Sequence, residues 1–420
     1  MRFATLADWL AWQETLHPKA IDLGLARVAG VFECLALPDA AVLTITVGGT
    51  NGKGSCVAML DRIFRESGYR VGTYTSPHLL RYNERICIDG RPVSDDRIVA
   101  SFQRIDDARG DTSLSFFEFG TLTALDIFSD QNLDIRILEV GLGGRLDAVN
   151  IIDPDIALIA SIGIDHQEWL GNTRDAIGIE KAGIFRPGRP AVIGDPDLPE
   201  SVLQLAQNLE TPLYRQGLEF SYEAGVEGWQ WRDPHVSLDG LPIPAIPGEH
   251  QLMNAAAVLK VLQIARGRYP VSEAAIRRGL AEVTLPGRFQ LFFGPIPVLL
   301  DVAHNPQAVS KLAEHLHNHY RDRRIHAVFA VMRDKDIAGI IATICDTIDC
   351  WYLAPLQMTR AATPEQLLPI LTDAGVVTVR TGFSDVAATV AAARGAAHDG
   401  DLILVFGSFF LVSDYLAQAA

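Results

Sequence analysis

The chain has 420 residues, more than a single hydrophobic core usually serves, so its length favours two domains. With 48% hydrophobic and 21% charged residues, it has the composition of a globular protein and not of a disordered one. The formal net charge of −15 argues against a nucleic-acid-binding surface, which requires clustered Lys and Arg.

Cysteine usage and hydropathy bear on the environment of the chain. Five cysteines without a C-x-x-C motif indicate neither a disulfide framework nor a zinc site. The N-terminus lacks a basic segment followed by an apolar stretch, and no run approaches the roughly 18 apolar residues that span a bilayer. We therefore expect a cytoplasmic protein that binds neither membranes nor nucleic acid.

The first 200 residues predict an α/β domain. Short β-branched runs bounded by Gly, Asp or Pro are typical of strands buried on both faces. These runs are 41–47, 70–74, 134–140 and 155–161. Longer helical patterns lie between them, at 55–66, 95–109 and 115–128. The alternation predicts a mainly parallel, doubly wound sheet.

The pattern changes after residue 210. Short alternating pieces divided by Gly and Pro predict a small antiparallel sheet within 211–245, and helical periodicity returns at 250–266. Strand and helix alternation then restarts, with strands expected at 298–302, 326–331, 351–354, 376–380 and 402–406. We place the boundary at the intervening Pro-Gly turn, which gives domains 1–288 and 289–420, the second a smaller α/β domain.

A glycine-rich turn, Gly48-Gly49-Thr50-Asn51-Gly52-Lys53-Gly54-Ser55, follows the first strong strand and precedes an apolar helical segment. This context is typical of a phosphate loop, in which backbone N–H groups and a helix N-terminus approach phosphate oxygens. Lys53 would neutralise the β- and γ-phosphates, and the Ser55 hydroxyl would face a metal ion. A turn without a ligand is the alternative, but a lysine at this spacing favours a triphosphate site.

Three polar residues, Ser76, Glu139 and His166, lie at the ends of predicted strands. Such ends converge on the ligand crevice of a doubly wound sheet, and hydroxyl and carboxylate oxygens suit Mg²⁺. Imidazole is a less usual magnesium ligand, so spacing alone favours His166 as a core or hydrogen-bonding residue. A structural salt bridge is the alternative for Glu139. Lys181, taken alone, is typical of a solvated helix lysine.

The loop form Gly-Thr-Asn-Gly-Lys-Gly-Ser, in which Gly54 separates Lys53 from Ser55, departs from the general P-loop and resembles that of the Mur ligase superfamily. Within it, the chain resembles the bacterial bifunctional dihydrofolate synthase/folylpolyglutamate synthase family from Ile21 nearly to its end. Besides the loop, the resemblance covers residues 76–79, 84–86, 116–121, 138–147, 181–183, 254–256, 285–289, 301–306, 334–336 and 405–408.

The resemblance implies a role for each matching residue. ATP contacts are implied for Thr50, Asn51, Gly52, Lys53, Gly54, Ser55, Asn254, Arg288 and Asp301. Magnesium ligation is implied for Ser76, Glu139 and His166, with a carbamylated Lys181 helping to hold a second Mg²⁺. A pterin pocket is implied for Ser115, Phe116, Phe117, Glu118, Leu146, Asp147 and Ala148, and contacts to ATP or glutamate for His304 and Ser408. Without the resemblance, the phenylalanines would be assigned to the core.

The activity implied by the resemblance is ATP-dependent addition of L-glutamate to dihydropteroate and to the tail of reduced folates, with Lys53, His166 and Lys181 as catalytic residues. Two alternatives differ in what they require. A ligase that adds an amino acid to a UDP-sugar peptide typically has a separate domain before the loop, whereas 47 residues precede it here. A nucleotide-binding switch would use the loop without needing the metal residues. A self-contained two-domain enzyme predicts a monomer.

Overall fold

The structure is a computed structural model that describes residues 2–19, 21–38, 41–225 and 228–419. The chain divides into two compact units. The first comprises Met1–Gly163, Leu170–Ala245 and Gln251–Thr284, and the second comprises Ile164–Trp169, Ile246–His250 and Leu285–Ala420. Val226 and Glu227, which fall in the segment predicted as an antiparallel sheet, lie outside the described residues.

An eight-stranded sheet forms the centre of the first unit, in the order β4-β3-β2-β5-β1-β6-β7-β8. Its strands are β1 (Leu43–Gly48), β2 (Val71–Tyr74), β3 (Ile86–Ile88), β4 (Arg91–Pro92), β5 (Ile135–Glu139), β6 (Ile156–Ile159), β7 (Ala191–Ile193) and β8 (Leu213–Arg215). In this spatial order, β2, β5, β1, β6, β7 and β8 pair in parallel. At the other edge, β3 pairs antiparallel with both β2 and β4. Val47 of β1 pairs with Glu139 of β5, so both strands leave the sheet at the same level.

Ten α-helices are described up to residue 284. They are α1 (Leu6–Leu16), α2 (Ala26–Leu35), α3 (Lys53–Glu66), α4 (Asp95–Arg109), α5 (Phe116–Ser129), α6 (Gln167–Leu170), α7 (Arg174–Ala182), α8 (Glu200–Asn208), α9 (His250–Ala265) and α10 (Glu273–Glu282). Because apolar helix faces need burial, α3 and α5 pack directly on the sheet while others pack on neighbouring helices. Of these, α6 and α9 begin in stretches that belong to the second unit. Buried residues such as Leu138, Ile159 and Phe119 form the core.

A separate three-stranded antiparallel sheet also belongs to the first unit, as the alternating pattern predicts. It consists of β9 (Ser221–Ala224), β10 (Trp229–Arg232) and β11 (Ser237–Leu241). Trp229 and Trp231 are fully buried, and the indole N–H of Trp231 donates to the carbonyl oxygen of Ala256. The sheet is therefore anchored to α9.

The second unit contains a six-stranded sheet in the order β12-β13-β17-β14-β15-β16. Its strands are β12 (Gln290–Phe292), β13 (Val298–Asp301), β14 (Ile325–Phe329), β15 (Cys350–Leu353), β16 (Val379–Arg380) and β17 (Leu402–Phe406). Its helices are α11 (Pro306–Tyr320), α12 (Ile337–Ile344), α13 (Pro364–Asp373), α14 (Val386–Ala396) and α15 (Phe409–Ala419). Only β12 pairs antiparallel among the strands described in this sheet. The predicted α/β fold class is confirmed.

Across the described ranges, none of the helices combines the length and the hydropathy that a membrane span requires.

Candidate functional site

The glycine-rich turn connects β1 to α3 and has the backbone conformation of a phosphate loop. Gly49 and Gly52 have positive φ angles of 145° and 85°. A Cβ atom at Gly52 would lie 2.6 Å from Oδ1 of Asn254, so the turn packs directly on α9. The Lys53 ammonium folds back and donates to the carbonyl oxygens of Gly49 (3.0 Å) and Thr50 (3.3 Å). Positive φ angles and close neighbours both favour glycine at these two positions.

Residues 161–163, here called the strap, follow β6 and hold the turn. The Thr50 N–H donates to the Ser161 carbonyl oxygen at 2.8 Å. The Asn51 N–H donates to the Ser161 hydroxyl (3.0 Å), which donates in turn to the Asn51 carbonyl oxygen (3.0 Å). The Thr50 hydroxyl likewise donates to the Gly163 carbonyl (3.0 Å) and accepts from the Gly163 N–H (2.9 Å). Thr50, a predicted ATP contact, therefore uses its side chain to shape the turn.

Two further predicted nucleotide contacts lie beside the turn. Ser55 is buried in the first turn of α3, and Asn254 is buried on α9 against Gly52. The Asn254 amide donates to Oε1 of Gln251 at 2.9 Å, which fixes its oxygen toward the turn. The first unit thus brings together the predicted residues 50–55 and Asn254.

A buried carboxylate lies at the end of β5, next to the strand that leads into the phosphate loop. Glu139 is 4% exposed, and its Oε2 accepts a hydrogen bond from the Ser76 N–H at 3.1 Å. Within the described residues, no group of three or more His, Cys, Asp or Glu is placed to hold a metal ion. Mg²⁺ needs no such group, because it commonly takes one or two carboxylates and completes its shell with phosphate oxygens and water. The carboxylate and hydroxyl at this corner fit that requirement.

Lys181 lies near the C-terminus of α7, and the structure removes the interpretation of a solvated lysine because the residue is 3% exposed. The helix end packs on the loop after β5. A Cβ atom at Gly144 would lie 2.8 Å from the carbonyl oxygens of both Glu180 and Lys181, and the Arg145 N–H donates to the Glu180 carbonyl at 2.8 Å. A buried ammonium is costly unless it is compensated or chemically converted, so its burial supports an environment in which the amine reacts or is paired.

The start of α5 carries four predicted pterin contacts. The Ser115 hydroxyl accepts from the Glu118 N–H (3.3 Å), and Oε2 of Glu118 accepts from the Ser115 N–H (2.7 Å), which is a capping box. Oε1 of Glu118 accepts from the Arg27 guanidinium at 3.1 Å. Phe116 and Phe117 are half-buried, and a Cβ atom at Gly141 would lie 2.6 Å from the Phe117 ring. Phe117 therefore packs against the segment that directly follows β5.

The loop after β5 carries the other three predicted pterin contacts, Leu146, Asp147 and Ala148. Asp147 accepts backbone N–H groups from Leu142 (2.8 Å) and Val149 (3.1 Å). Burial raises the pKa of its carboxyl to about 7, against these hydrogen bonds and the positive charge of Lys53. Leu146 is half-buried and Ala148 is buried, in a short turn that contacts α5. The two predicted pterin segments are therefore neighbours.

The second unit contains a cluster of charged and polar side chains: Asp165, His166, His304, Asn305 and Lys335, here called the Asp165 cluster. The Lys335 ammonium donates to Oδ1 of Asp165 at 2.8 Å, and the Asn305 amide donates to Oδ2 at 3.1 Å. Nε2 of His304 lies 3.8 Å from Oδ2 of Asp165. Burial would raise the pKa of Asp165, but the charge of Lys335 holds it well below its usual range. Asp165 is therefore an ionised carboxylate that is largely shielded from solvent, with 10% of its side chain exposed.

His166 belongs to this cluster and has an uncommon backbone conformation, with a φ of 51°. Its Nε2 lies 3.3 Å from the Lys335 ammonium. An ammonium group only donates, so Nε2 is the acceptor in this contact. The structure joins Ser76 to Glu139 in the first unit and groups His166 with the second, where its metal role stays a prediction.

The remaining predicted residues also belong to the second unit. Asp301 is buried and accepts N–H groups from Phe289 (3.0 Å) and Ala303 (2.7 Å); burial raises its pKa, while the charge of Arg288 opposes the rise. The Arg288 guanidinium lies 5.2 Å from the ring centroid of Phe409, and the His304 ring lies 5.9 Å from it. Ser408, next in the chain, accepts from the Leu411 N–H at 3.1 Å. Arg288 and His304 therefore both contact the Phe409 ring, and Ser408 directly precedes that residue in the chain.

Several residues in these networks carry no role from sequence reasoning, namely Arg27, Ser161, Asp165, Asn305 and Lys335. Three of them nevertheless had a signal in the sequence, and Asn305 is one of these because it lies in the matching segment 301–306. Asp165 precedes a predicted metal ligand, and Lys335 lies in a matching segment, at 334–336. Their mutual contact joins residues 170 positions apart, which no local pattern indicates.

Comparison with known protein families divides the chain in a similar way. Residues 47–262 match the Mur ligase middle domain, and residues 287–409 match the Mur ligase glutamate ligase domain. The dihydrofolate synthase/folylpolyglutamate synthase of Escherichia coli is 45% identical over 408 residues, which cover 97% of this chain and 94% of that protein. The protein of that name from Haemophilus influenzae is 41% identical, with coverage of 98% and 97%.

This chain belongs to the dihydrofolate synthase/folylpolyglutamate synthase family. A solved family structure, E. coli FolC in complex with DHPP and ADP, aligns with a TM-score of 0.94 at 44% identity and covers 99% of this chain and 98% of that one. Another, with Mn, AMPPNP and L-glutamate bound, aligns with a TM-score of 0.91 at 44% identity and covers 99% and 98%. The predicted family, the Mur ligase-like fold and the assignment as a ligase are confirmed.

Proposed function

We propose that this enzyme adds L-glutamate to dihydropteroate, giving dihydrofolate, and to the glutamate tail of reduced folates, in both cases with consumption of ATP. The observation that carries the proposal is the alignment of Val47 with Glu139 on neighbouring strands. It brings the phosphate loop, which starts one residue after Val47, to the same sheet edge as the buried Glu139 and Ser76 pair. A triphosphate and a divalent cation would meet there.

The phosphate loop is proposed to bind ATP through residues 50–55, together with Asn254. The family resemblance adds Arg288 and Asp301 as proposed ATP contacts. Relatives of this chain have been solved with ADP or with AMPPNP and Mn. Ser76 and Glu139 would hold one Mg²⁺ with His166, and a carbamylated Lys181 would help to hold a second. When bound, the magnesium ions would neutralise charge on the phosphates and orient the γ-phosphoryl group.

Chemistry at the substrate carboxylate would proceed in two steps. A free carboxylate is a poor electrophile, so one of its oxygens first attacks the γ-phosphorus of ATP. ADP departs as the leaving group, and the product is an acyl phosphate. The amine of glutamate then attacks the acyl carbon, phosphate departs with the C–O electron pair, and the nitrogen loses a proton to give the amide. Lys53 and the backbone N–H groups of the loop would stabilise the negative charge that moves onto ADP.

The acceptor is proposed to bind between the start of α5 and the loop after β5. The rings of Phe116 and Phe117 would stack on the pterin, and the carboxylates of Glu118 and Asp147 would accept its N–H groups. Ser115, Leu146 and Ala148 would complete the pocket. Because dihydropteroate and reduced folates share the pterin ring, one pocket would serve both acceptors.

We propose that residues 1–288 form an ATP-binding domain with the pterin site, and that residues 289–420 form a glutamate ligase domain to which the proposed ATP contact Asp301 also belongs. His304 and Ser408, together with Arg288 near the Phe409 ring, would contact ATP or glutamate. We further propose that the enzyme works as a cytoplasmic monomer.

The decisive experiment supplies Mg-ATP and glutamate with dihydropteroate or with tetrahydrofolate, in separate reactions. We expect glutamate-dependent phosphate release with each acceptor and a product mass increased by one glutamyl residue. Glu139→Gln should abolish both reactions, whereas Asp126→Asn, which changes a buried acid of α5 that pairs with Arg104 of α4, should leave both active. Turnover with a UDP-sugar peptide in place of the folates, or hydrolysis indifferent to any acceptor, would reject the proposal.

A further inference from the structure

The strap that holds the phosphate loop is itself held from its other side. Ile162, its middle residue, is buried, and both of its backbone groups bond to side chains. Its N–H donates to Oδ2 of Asp195 at 2.8 Å, and its carbonyl oxygen accepts from Nε of Arg174 at 3.0 Å. Asp195 and Arg174 thus replace the strand neighbour that Ile162 lacks beyond the end of β6.

Asp195 is built into the protein as a fixed acceptor. It follows β7, is 7% exposed, and uses its second oxygen to accept the Asp197 N–H at 3.0 Å. The Arg174 guanidinium, at the start of α7, lies 3.3 Å from Oδ2. An acceptor that is charged, buried and paired makes stronger and shorter hydrogen bonds than a neutral one. The position of Ile162 is therefore tightly defined.

The strap transmits that position to the phosphate loop. The Ser161 hydroxyl accepts one hydrogen bond from the Asn51 backbone and donates another to it. The Thr50 hydroxyl does the same with the backbone of Gly163, so the strap and the loop are joined by two reciprocal pairs of hydrogen bonds. The backbones also touch, because a Cβ atom at Gly49 would lie 3.1 Å from the Ser161 nitrogen. Displacement of the strap would therefore displace the loop.

We propose that Asp195 and Arg174 are positioning residues for the nucleotide: through Ile162 and the strap they set the backbone of the phosphate loop in the geometry that binds ATP. Phosphate recognition by backbone N–H groups depends on placement within a few tenths of an ångström, since hydrogen bonds weaken steeply with angle. Neither side chain needs to touch the nucleotide. The inference rests on the proposed binding of ATP by the phosphate loop, and the turnover assay also rests on the proposed acceptors.

The chain offers a matched control at the opposite end of the same sheet. Oδ2 of Asp155 accepts the Thr44 N–H at 2.9 Å at the start of β1, and Oδ1 lies 3.3 Å from the Arg189 guanidinium. Asp155 thus also joins a backbone N–H to an arginine, but at the edge remote from the phosphate loop. Asp155→Asn should cost stability without altering nucleotide binding.

The test compares Asp195→Asn, Ser161→Ala and Arg174→Gln with Asp155→Asn and the wild type. ATP binding is measured by calorimetry, and kcat and KM are measured for ATP, dihydropteroate and glutamate. We expect the first three variants to raise the Kd and KM for ATP by about tenfold, the factor that corresponds to one net hydrogen bond to a charged group. The KM for dihydropteroate should change less than about twofold. Arg174→Gln changes a partly exposed side chain, so it provides the result if a buried variant fails to fold.

Binding and turnover answer separate questions. If ATP affinity in the three variants equals that of Asp155→Asn, the positioning role is wrong, whatever the wild type catalyses. If the wild type binds ATP but does not extend dihydropteroate or folate, the proposed function is wrong, and the affinities still decide the role of Asp195. A uniform rise in all three KM values, in step with lost stability, would also overturn the inference.

Discussion

The phosphate loop of the first unit and the Asp165 cluster of the second both follow the carboxyl ends of parallel strands, but different forces hold them. The loop is fixed by glycine backbone, by neutral hydroxyls and by peptide groups, and its ammonium is held by carbonyl oxygens. The Asp165 cluster is fixed by an ion pair between largely buried side chains. We expect the backbone-built loop to keep its fold when its own charge is removed but to shift when volume is added. The site built from an ion pair should instead lose stability when a charge is removed.

The largest effect is expected from Lys53→Ala, which removes a charge without disturbing the backbone that shapes the loop. Turnover should fall by about 10³-fold, because Lys53 stabilises charge that develops on the transferred phosphoryl group. The melting temperature should stay near that of the wild type. Steady-state kinetics and thermal unfolding check this, with the exposed Lys19→Ala as control. Unfolding of Lys53→Ala would show that the loop depends on charge after all.

The second largest effect concerns the Asp165 cluster. Lys335→Met leaves the largely buried Asp165 carboxylate without its cation, which should lower the free energy of unfolding by about 3 kcal/mol, a value moderated by the remaining Asn305 amide. Chemical denaturation of the whole chain measures it. Lys311→Met breaks an exposed pair with Glu314 and should cost less than about 1 kcal/mol. Equal costs for the two variants would remove the distinction between the sites.

Added volume should affect the phosphate loop. Gly52→Ala places a methyl group 2.6 Å from the Asn254 side chain at a φ of 85°, so the loop must shift and the KM for ATP should rise by about tenfold. Gly68 has the same φ of 85° but nothing within 4 Å of its Cβ position. Gly68→Ala therefore carries the same backbone strain and should leave the KM for ATP unchanged. Similar kinetics in both variants would assign the effect to strain alone.

The smallest effect is a pH dependence that originates in the first unit. A carboxyl group whose pKa rises on folding, as that of Asp147 does to about 7, binds its proton more tightly in the folded chain. It therefore stabilises the fold at low pH and loses that contribution as the pH rises through 7. Between about pH 6 and pH 7.5 the loss should be about 1 kcal/mol. Asp147→Asn, which keeps a capping side chain, should lack this slope in denaturation experiments at several pH values.

Local patterns predicted most of the fold. The predicted strands at 41–47, 134–140 and 402–406 coincide with β1, β5 and β17, because buried β-branched runs between turn residues have few other solutions. The strand predicted at 376–380 is confined to the two residues of β16, at the sheet edge, where few neighbours reward extension. The β3 and β4 hairpin was not predicted, since its strands are too short to show a period.

In the candidate site, likewise, the parts that are contiguous in sequence were predicted and the parts that join distant residues were not. A strand, a glycine-rich turn and a helix start are contiguous, so the phosphate loop could be found from sequence. The Asp165 and Lys335 pair could not be found from sequence, because the two residues are distant in sequence and meet only in the folded chain. The strap was missed for another reason: Ser161, Ile162 and Gly163 act chiefly through hydroxyl and peptide groups, which residue types alone do not specify.

The stretch Ile164–Trp169 belongs to the second unit but lies in sequence between two segments of the first. It therefore limits where the chain can be cut into fragments. A fragment that starts at residue 285 would contain Lys335 but not its counter-ion Asp165, and a fragment that stops at residue 284 would retain the anion alone. Neither fragment therefore contains the complete ion pair. A chimera with another ligase would need to exchange residues 164–169 together with the C-terminal portion, so that Asp165 and Lys335 come from the same parent.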